Sequence, residues 1–509
     1  MKSLVFVCAQ KVVSDHSSLR RALDFMPKEL YPALFQAAFL GKKTLVLQDL
    51  VQTWPFAVLS FQKLLNSDRH CDPVGAMEKP SKLCVQTIIL GVITYLSDAL
   101  AKGPEGQRAG KQRLRLLDMT GIQDDGLEQN PDTMSLWSRT VTLAKACIDV
   151  SKRHGEEATQ AWKRRRGSHI TALPAASPVY VEVRVDLFVN STSYGVLREA
   201  LLVSSHSPLR LQCRDLRAEE LSLRSTAGLL ELLSPGSVRQ IDLRFNNLGL
   251  SGLNVLLPQL AKFSRLQSLK LPYSNVDVRR LSPVMEEGLQ SFASQLGQLG
   301  ALRELNLGSS RLSGRLRQLL GGLQRPLESL ELAFCSLLPM DLSYLSQSVH
   351  VSSLRKLDLS GNNLSDLLLT PFLQVLSEVS GRLLYLDVME CKLKDAHLGT
   401  LMTILRRCSH LRYLGLFCNP ISSDGLRMVL QNLVQLAELR LVVYPFPVDC
   451  YSDATQFASS AALLDSSFDH DKLARVGEEL QQMLLGAQRA DMVWTTDMYV
   501  HRTLDSLSL

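Results

Sequence analysis

VRQIDLRFNNL, residues 238–248, places apolar side chains at Val238, Ile241, Leu243 and Leu248, with Asn246 between the last two. Ile241 and Leu243 face the same way on a short strand, because side chains switch sides at every residue. The Asn246 amide can both donate and accept, so it can bond the backbone groups left unpaired where the chain turns out of the strand. A unit this short cannot bury its own apolar face. It predicts neighbours stacked against it.

The copies follow. With Leu243 as the marker, the equivalent positions are Leu271, Leu307, Leu332, Leu359, Val388, Leu416 and Leu441, at spacings of 28, 36, 25, 27, 29, 28 and 25 residues. The Asn slot continues as Ser274, Ser310, Cys335, Asn362, Cys391 and Asn419, all small and able to hydrogen-bond. This is the period and signature of a leucine-rich repeat. A weaker early copy, SPLRLQCRDL, sets Leu209, Leu211 and Leu216 in register with Arg214 in the Asn slot. The wide gap holds PYSNVDVRRLSPVMEEGLQSFASQ, extra residues that a solenoid places in loops on one face. Segments such as GLNVLLPQLAKF and QLLGGLQRPLESL carry apolar residues at three-and-four spacing and predict helices. The expected fold is an α/β leucine-rich-repeat horseshoe solenoid, with parallel strands on the concave side and helices on the convex side.

Residues 1–150 are expected to form a helical N-terminal cap, needed because a terminal repeat would otherwise expose its core. KSLVFVCAQKVV reads as either a short strand or the first helix, and PKELYPALFQAAFLG as a helix that ends before Gly41. LRLLDMTGI, residues 114–122, fits an early strand of the same sheet through Leu114, Leu117, Met119 and Ile122. Residues 151–178 lose periodicity and read as a basic flexible linker. The repeats run from 179 to 443, opening with VYVEVRVDLFVN, where Val181, Val183, Val185 and Leu187 alternate. Residues 444–509 form a C-terminal capping segment: YPFPVDCY ends the pattern and DHDKLARVGEELQQMLL predicts a closing helix.

Composition bounds the function. The chain has 509 residues, 46% hydrophobic and 21% charged, which fits a folded protein and excludes wholesale disorder. Its formal charge of +6 is concentrated between Lys152 and Arg166, where six basic residues face two acidic ones. The remainder is near neutral and predicts neither a nucleic-acid nor a membrane partner. Ten scattered cysteines without a C-x-x-C pair favour a reducing compartment. LVFVCA is too short for a signal peptide, and LCVQTIILGVITYL too short to span a bilayer. These readings predict a cytoplasmic protein, with a nuclear pool if the run Lys163, Arg164, Arg165 and Arg166 serves as an import address and is not simply solvated.

No catalytic, cofactor or metal motif emerges, and an enzyme is not expected. GPEGQRAGK has the wrong spacing for a P-loop, with Gln112 where a Ser or Thr should bind magnesium. His70, Cys71 and Cys84 read as a loop histidine near ordinary thiols, since structural zinc needs four ligands at set spacing. Asp124 and Asp125 read as solvated loop charges. The chain does offer surface. Strand positions that alternate with the buried leucines are Asp242, Arg244 and Phe245, Lys270 and Tyr273, Glu331 and Phe334, Lys356 and Asp358, Tyr385 and Asp387, and Tyr413 and Phe417. Aromatics mixed with both charge signs suit a protein ligand on the concave face, against the plainer reading that some merely cover the sheet edges. The candidate contacts are Arg244, Phe245, Tyr273, Glu331, Phe334, Asp358, Tyr385, Tyr413 and Phe417.

MPKELYPALFQAAFLGKKTLVLQDLVQTWPF, the repeats LESLELAFCSLL and LRKLDLSGNNL, and VVYPFPVDCY followed by MVWTTDMY together resemble the PRAME family of leucine-rich-repeat proteins, over essentially the whole chain. The resemblance implies a substrate-recognition subunit of a cullin-2 RING ubiquitin ligase, in which an N-terminal helical segment engages Elongin B/C and the cullin while the repeats hold the target. It places ligase docking within residues 18–61, at Leu34, Trp54, Pro55 and Phe56. The cysteine that an Elongin box usually carries four residues after its leading leucine is replaced by Leu23 after Leu19 and by Ala38 after Leu34. The alternative is a binding module that sequesters or inhibits a cytoplasmic signalling protein without promoting its turnover.

Overall fold

The structure, a computed structural model, describes residues 3–65, 81–101, 114–122, 132–165, 179–279, 282–451 and 469–498. The chain forms two compact units, Met1–Val238 and Arg239–Leu509. GPEGQRAGK, Gln112, His70, Cys71, Asp124, Asp125 and Arg166 lie outside the described residues.

The first unit opens with helices. α1 (Leu4–Val12) is capped by Ser3, whose Oγ accepts from the Phe6 N–H at 3.2 Å, so the opening stretch is helix and not strand. Asp15 caps α2 (His16–Ala22) in the same way. α3 (Tyr31–Leu40) has proline in its first turn and stops at Gly41; α4 (Thr44–Gln52) and α5 (Phe61–Leu65) follow. They close on an aromatic core in which Phe35 meets Trp54 edge-on at 5.7 Å and Phe39 meets Phe61 at 5.7 Å. α6 (Lys82–Ala101) carries the apolar run well past the fourteen residues read from sequence, and by length and composition alone it could cross a membrane. One of its faces is core: Cys84, Val85, Ile88, Ile89, Val92 and Leu96 are buried, and the helix packs on α4.

α7 (Leu136–Arg165) corrects the expected linker, because helix continues through its first half. The helix is anchored where Thr140 Oγ1 accepts from the Phe188 N–H at 3.0 Å and the Cys147 thiol donates to the Leu209 carbonyl at 3.1 Å. Once nucleated, a helix extends cheaply through Lys, Arg, Glu and Ala, and no proline lies between Leu136 and Arg165 to stop it. The strands of this unit are β1 (Val58–Ser60), β2 (Leu116–Asp118), β3 (Val181–Val189) and β4 (Leu209–Ala218), paired in parallel in that order. Their helices are α8 (Tyr194–Ser204) and α9 (Leu223–Leu232). β4 continues past Arg214 through an irregularity in which Arg214 and Asp215 stand opposite Asp186 alone, so this residue occupies no Asn slot. Its guanidinium instead grips Asp186 through two bonds of 3.1 Å.

The second unit is the regular solenoid. β5 (Gln240–Asp242), β6 (Ser268–Lys270), β7 (Glu304–Asn306), β8 (Ser329–Glu331), β9 (Lys356–Asp358), β10 (Tyr385–Asp387), β11 (Tyr413–Gly415) and β12 (Leu441–Val443) pair in parallel, each with the next. The middle residues Ile241, Leu269, Leu305, Leu330, Leu357, Leu386, Leu414 and Val442 form one fully buried row. Between strands lie α10 (Gly249–Leu260), α11 (Pro283–Gly297), α12 (Leu316–Leu320), α13 (Pro339–Gln347), α14 (Leu369–Val379), α15 (Asp395–Leu405) and α16 (Ser423–Leu433). The wide gap contains α11, started by Ser282 and a following proline. The helix expected over QLLGGLQRPLESL ends at Leu320, where two glycines and Pro326 cannot sustain it.

The Asn slot does the work expected of it. Asn419 Nδ2 donates to the carbonyls of Val388 and Leu416, both at 2.8 Å, while its Oδ1 accepts from the N–H groups of Cys391 and Leu393 at 3.0 Å. Asn362 donates to Leu332 and Leu359 at 2.9 and 2.8 Å and accepts from Leu337. The cysteines substitute with one weak donor each: Cys335 Sγ reaches the Leu307 carbonyl and Cys391 Sγ the Leu359 carbonyl, both at 3.3 Å. Burial pushes both thiols well above their ordinary range.

Two C-terminal expectations change. Leu441 pairs with Tyr413, so the true successor of the marker Leu416 is Tyr444, and Leu441 faces the opposite way. After the closing helix (His470–Gly486) comes β13 (Val493–Thr495), parallel to β12, in a segment expected only to cap.

Candidate functional site

Strand register arranges the side chains opposite the buried row into two lines across the second unit. One is Gln240, Ser268, Glu304, Ser329, Lys356, Tyr385, Tyr413 and Leu441; the other is Asp242, Lys270, Asn306, Glu331, Asp358, Asp387, Gly415 and Val443. A third line lies in the turns that follow the strands, at Phe245, Tyr273, Ser309, Phe334, Gly361, Glu390 and Cys418, all with φ between +54° and +70°. The cause is the ladder itself. From Phe245 to Glu390 the N–H of the turn residue is held by a carbonyl of the next repeat, as in Tyr273 to Gly308 at 3.1 Å, Ser309 to Ala333 at 2.7 Å and Phe334 to Ser360 at 2.7 Å. Phenylalanine and tyrosine seldom take such a φ, so three of these turns hold a bulky ring in a costly backbone conformation.

These rings are the open part of the face. Phe245 and Tyr273 stack with centroids 4.6 Å apart, and they remain 47% and 51% exposed; Phe334 is 44% exposed. Phe334 lies across the backbone of Gly361, where an added Cβ would meet the ring at 2.2 Å, so a glycine is required there. Between Tyr273 and Phe334 the turn residue is the small Ser309. It leaves an open cleft of about 380 Å³, lined by Tyr273, Asn275, Val276, Ser309, Arg311 and Phe334. Arg244, the first charged candidate, is folded onto Asp242, with Nε 2.9 Å from Oδ2.

Further along, the face is polar and internally satisfied. Glu331 accepts from Asn306 Nδ2 at 2.8 Å and pairs with Lys356 at 3.3 Å, and Lys356 also lies over the Tyr385 ring. Asp387 accepts from Ser360 Oγ at 2.9 Å, the Met389 N–H at 3.1 Å and the Tyr413 hydroxyl at 3.2 Å. Its cross-strand neighbour Asp358 is half-buried. Burial first, then the charges of Asp387 and Glu331, push the Asp358 carboxyl up to about 8.

The last candidates are covered by the chain itself. Tyr385 stacks on Tyr413 at 4.0 Å, and Tyr413 and Phe417, only 1% and 5% exposed, form a cluster with Met389, Leu441 and Val443 against which Phe446 and Met498 pack. Tyr413 and Phe417 are therefore core and not contacts for a partner. The face divides into an open aromatic part around Phe245, Tyr273 and Phe334 and a self-covered part beyond Tyr385. The residues missed from sequence, Ser309, Asn275 and Arg311, sit in the turns, where a two-residue alternation gives no signal.

In the first unit, Leu34 and Trp54 are 3% and 4% exposed, and the Trp54 indole donates to the Val58 carbonyl at 3.1 Å. Both are internal, which corrects their assignment as docking contacts. Pro55 and Phe56 are half-buried. Cys84 is also internal, its thiol 3.8 Å from the Phe39 carbonyl, and no grouping of His, Cys, Asp or Glu among the described residues could hold a metal.

Similarity to known proteins bears on the whole chain. A family model for the PRAME N-terminal domain matches residues 2–123, and one for the PRAME C-terminal domain matches residues 182–504. Leucine-rich repeat-containing protein 14 of Xenopus laevis is 87% identical over 509 residues, covering 100% of both chains; the Homo sapiens protein of the same name is 47% identical over the same span. Among solved structures, a TLR13–ssRNA13 complex matches 54% of this chain and 36% of its own at 20% identity with a TM-score of 0.32. The leucine-rich repeat-containing protein LegL7 from Legionella pneumophila matches 46% and 74% at 19% identity with a TM-score of 0.33. Repeats that present exposed rings from a rigid parallel sheet make the molecule a protein-interaction scaffold. The chain belongs to the PRAME family of leucine-rich-repeat proteins.

Proposed function

We propose that this protein is a cytoplasmic substrate-recognition adaptor of a cullin-2 RING ubiquitin ligase. In this reading the first unit docks Elongin B/C and cullin-2, and the open aromatic part of the second unit holds the target. The observation that carries it is the pairing of an exposed aromatic surface on the repeats with unpartnered apolar side chains on the N-terminal helices. Leu4, Val5, Phe25 and Leu45 are 79%, 55%, 88% and 60% exposed, far beyond what a self-sufficient helical cap needs. Docking then belongs to these residues and to the half-buried Pro55 and Phe56, with Leu34 and Trp54 supporting them from inside. The basic run Lys163, Arg164, Arg165 and Arg166 offers an import address for a nuclear pool.

A non-degradative module that sequesters a cytoplasmic signalling protein is the second reading. It is favoured by Leu19, which is 2% exposed and, like Leu34, faces the interior, so neither leucine can lead an Elongin box on the surface. Retention assays separate the two. Tagged wild-type protein expressed in cells is expected to retain Elongin B/C and cullin-2, and Phe25→Asp, with an unchanged thermal midpoint, to lose at least about tenfold, the worth of about 1.4 kcal/mol. Absence of all three from the wild-type complex would leave sequestration as the function.

A further inference from the structure

We propose that the cleft between Tyr273 and Phe334 is the anchor pocket of the repeat face, taking one Leu, Phe or Tyr side chain of an extended partner segment whose neighbouring Asp or Glu pairs with Arg311. This deepens the reading of the repeat face as target-binding and names the chemistry of the target. The volume of about 380 Å³ is at the small end for a ligand site, which suits one large side chain and its flanking backbone better than a cofactor. Two rings wall it, and the Phe245–Tyr273 stack continues the apolar surface beyond its rim, so the occupant belongs to a longer chain lying along the face. Within the cleft, the Asn275 amide and the Ser309 hydroxyl can each bond a peptide group, as recognition of an extended segment requires.

Charge selects the residue beside the anchor. Asp277 accepts from Arg279 at 2.7 Å and from Arg311 at 3.3 Å, so a single carboxylate serves two guanidinium groups. Arg311 spends one N–H on it and remains 53% exposed. A guanidinium with free donors in a cleft walled by two rings favours a carboxylate, which it can hold through two parallel bonds.

The turn geometry supplies a clean variant. Ser309 has φ +59°, and the same turn position already holds phenylalanine or tyrosine at Phe245, Tyr273 and Phe334. Ser309→Phe is therefore compatible with the fold while filling the cleft. The test uses the purified full chain and a random dodecapeptide phage library. Wild type is expected to enrich peptides with a Leu, Phe or Tyr within two residues of an Asp or Glu. Ser309→Phe is expected to weaken the selected peptides at least tenfold, and Arg311→Glu to replace the acidic neighbour with Lys or Arg. No enrichment, or the same peptides bound equally by Ser309→Phe, would overturn the proposal. Elongin B/C retention is scored on the same variants: its absence with peptide selection intact counts against the ligase reading alone.

Discussion

At the scale of single residues, stability rests on a few side chains that answer for several backbone groups at once. Asn419 satisfies two carbonyls and two N–H groups in a site with no water access, being only 1% exposed. Each buried group left unmade costs about 1–3 kcal/mol, and partial relaxation recovers some of that. Asn419→Ala is expected to lower unfolding free energy by roughly 3 kcal/mol, read from the urea midpoint; a loss below about 1 kcal/mol would show that the turn does not need its amide. Asp358 gives a second prediction, with a sign. Its carboxyl holds its proton up to about pH 8 when folded, whereas an unfolded aspartate releases it near 3.9. Between those values this carboxyl binds one proton more in the folded than in the unfolded state, so its contribution to stability is fully present at the acid end, falls as pH rises, and is lost above about 8. Asp358→Asn cannot ionise and is expected to flatten that decline relative to wild type in urea melts between about pH 5 and pH 8; equal slopes would refute it.

At the scale of elements, what could be read in advance was whatever repeats. The rows of Leu269, Leu330 and Leu357 recur because every strand buries the same position, and the Asn slot recurs because every turn leaves the same groups unpaired. β2 and β3 were legible for the same reason, through Leu117 and the alternation from Val181 to Leu187. Elements decided by distant partners were not. β13 has no repeat pattern of its own and is a strand because β12 offers an edge. The linker's first half is helix because α7 is already anchored on Phe188 and Leu209. The same division runs through the site. Phe245, Tyr273 and Phe334 were legible as aromatics just past the strands, but the left-handed turns expose them, since alternation alone would set them with the buried Leu243, Leu271 and Leu332. The burial of Tyr413 and Phe417 depends on Phe446 and Met498, which meet them only in the folded chain. The left-handed turns that create the cleft were equally hidden, since Phe245 and Tyr273 do not carry the glycine or asparagine that usually marks such a φ.

At the scale of the whole molecule, a solenoid must end without leaving an adhesive edge, and here the C-terminal segment provides the ending. β13 pairs with β12, Trp494 stacks on Tyr444 at 5.5 Å, and Glu479 of the closing helix holds Arg427 of α16 through bonds of 2.7 and 2.8 Å. Arg489 does more. Its guanidinium donates to the carbonyls of Val434, Leu436 and Leu439 at 2.8, 2.9 and 2.7 Å, satisfying backbone acceptors just beyond α16 that the helix itself leaves open. A chain stopped after Tyr451 loses all of these together. It bares the backbone of β12, whose residues Leu441, Val442 and Val443 are all apolar, and an unpaired hydrophobic edge strand invites pairing with another copy. The truncated protein is expected to associate in a concentration-dependent way on size-exclusion chromatography and to unfold at lower urea. Arg489→Ala in the full chain isolates the carbonyl contacts: it should remain monodisperse and lose about 2–3 kcal/mol, within the range for hydrogen bonds from a charged donor. A truncated chain that stayed monodisperse with the parent's midpoint would mean that β12 needs no cover, and that the closing helix and β13 serve some purpose other than ending the sheet.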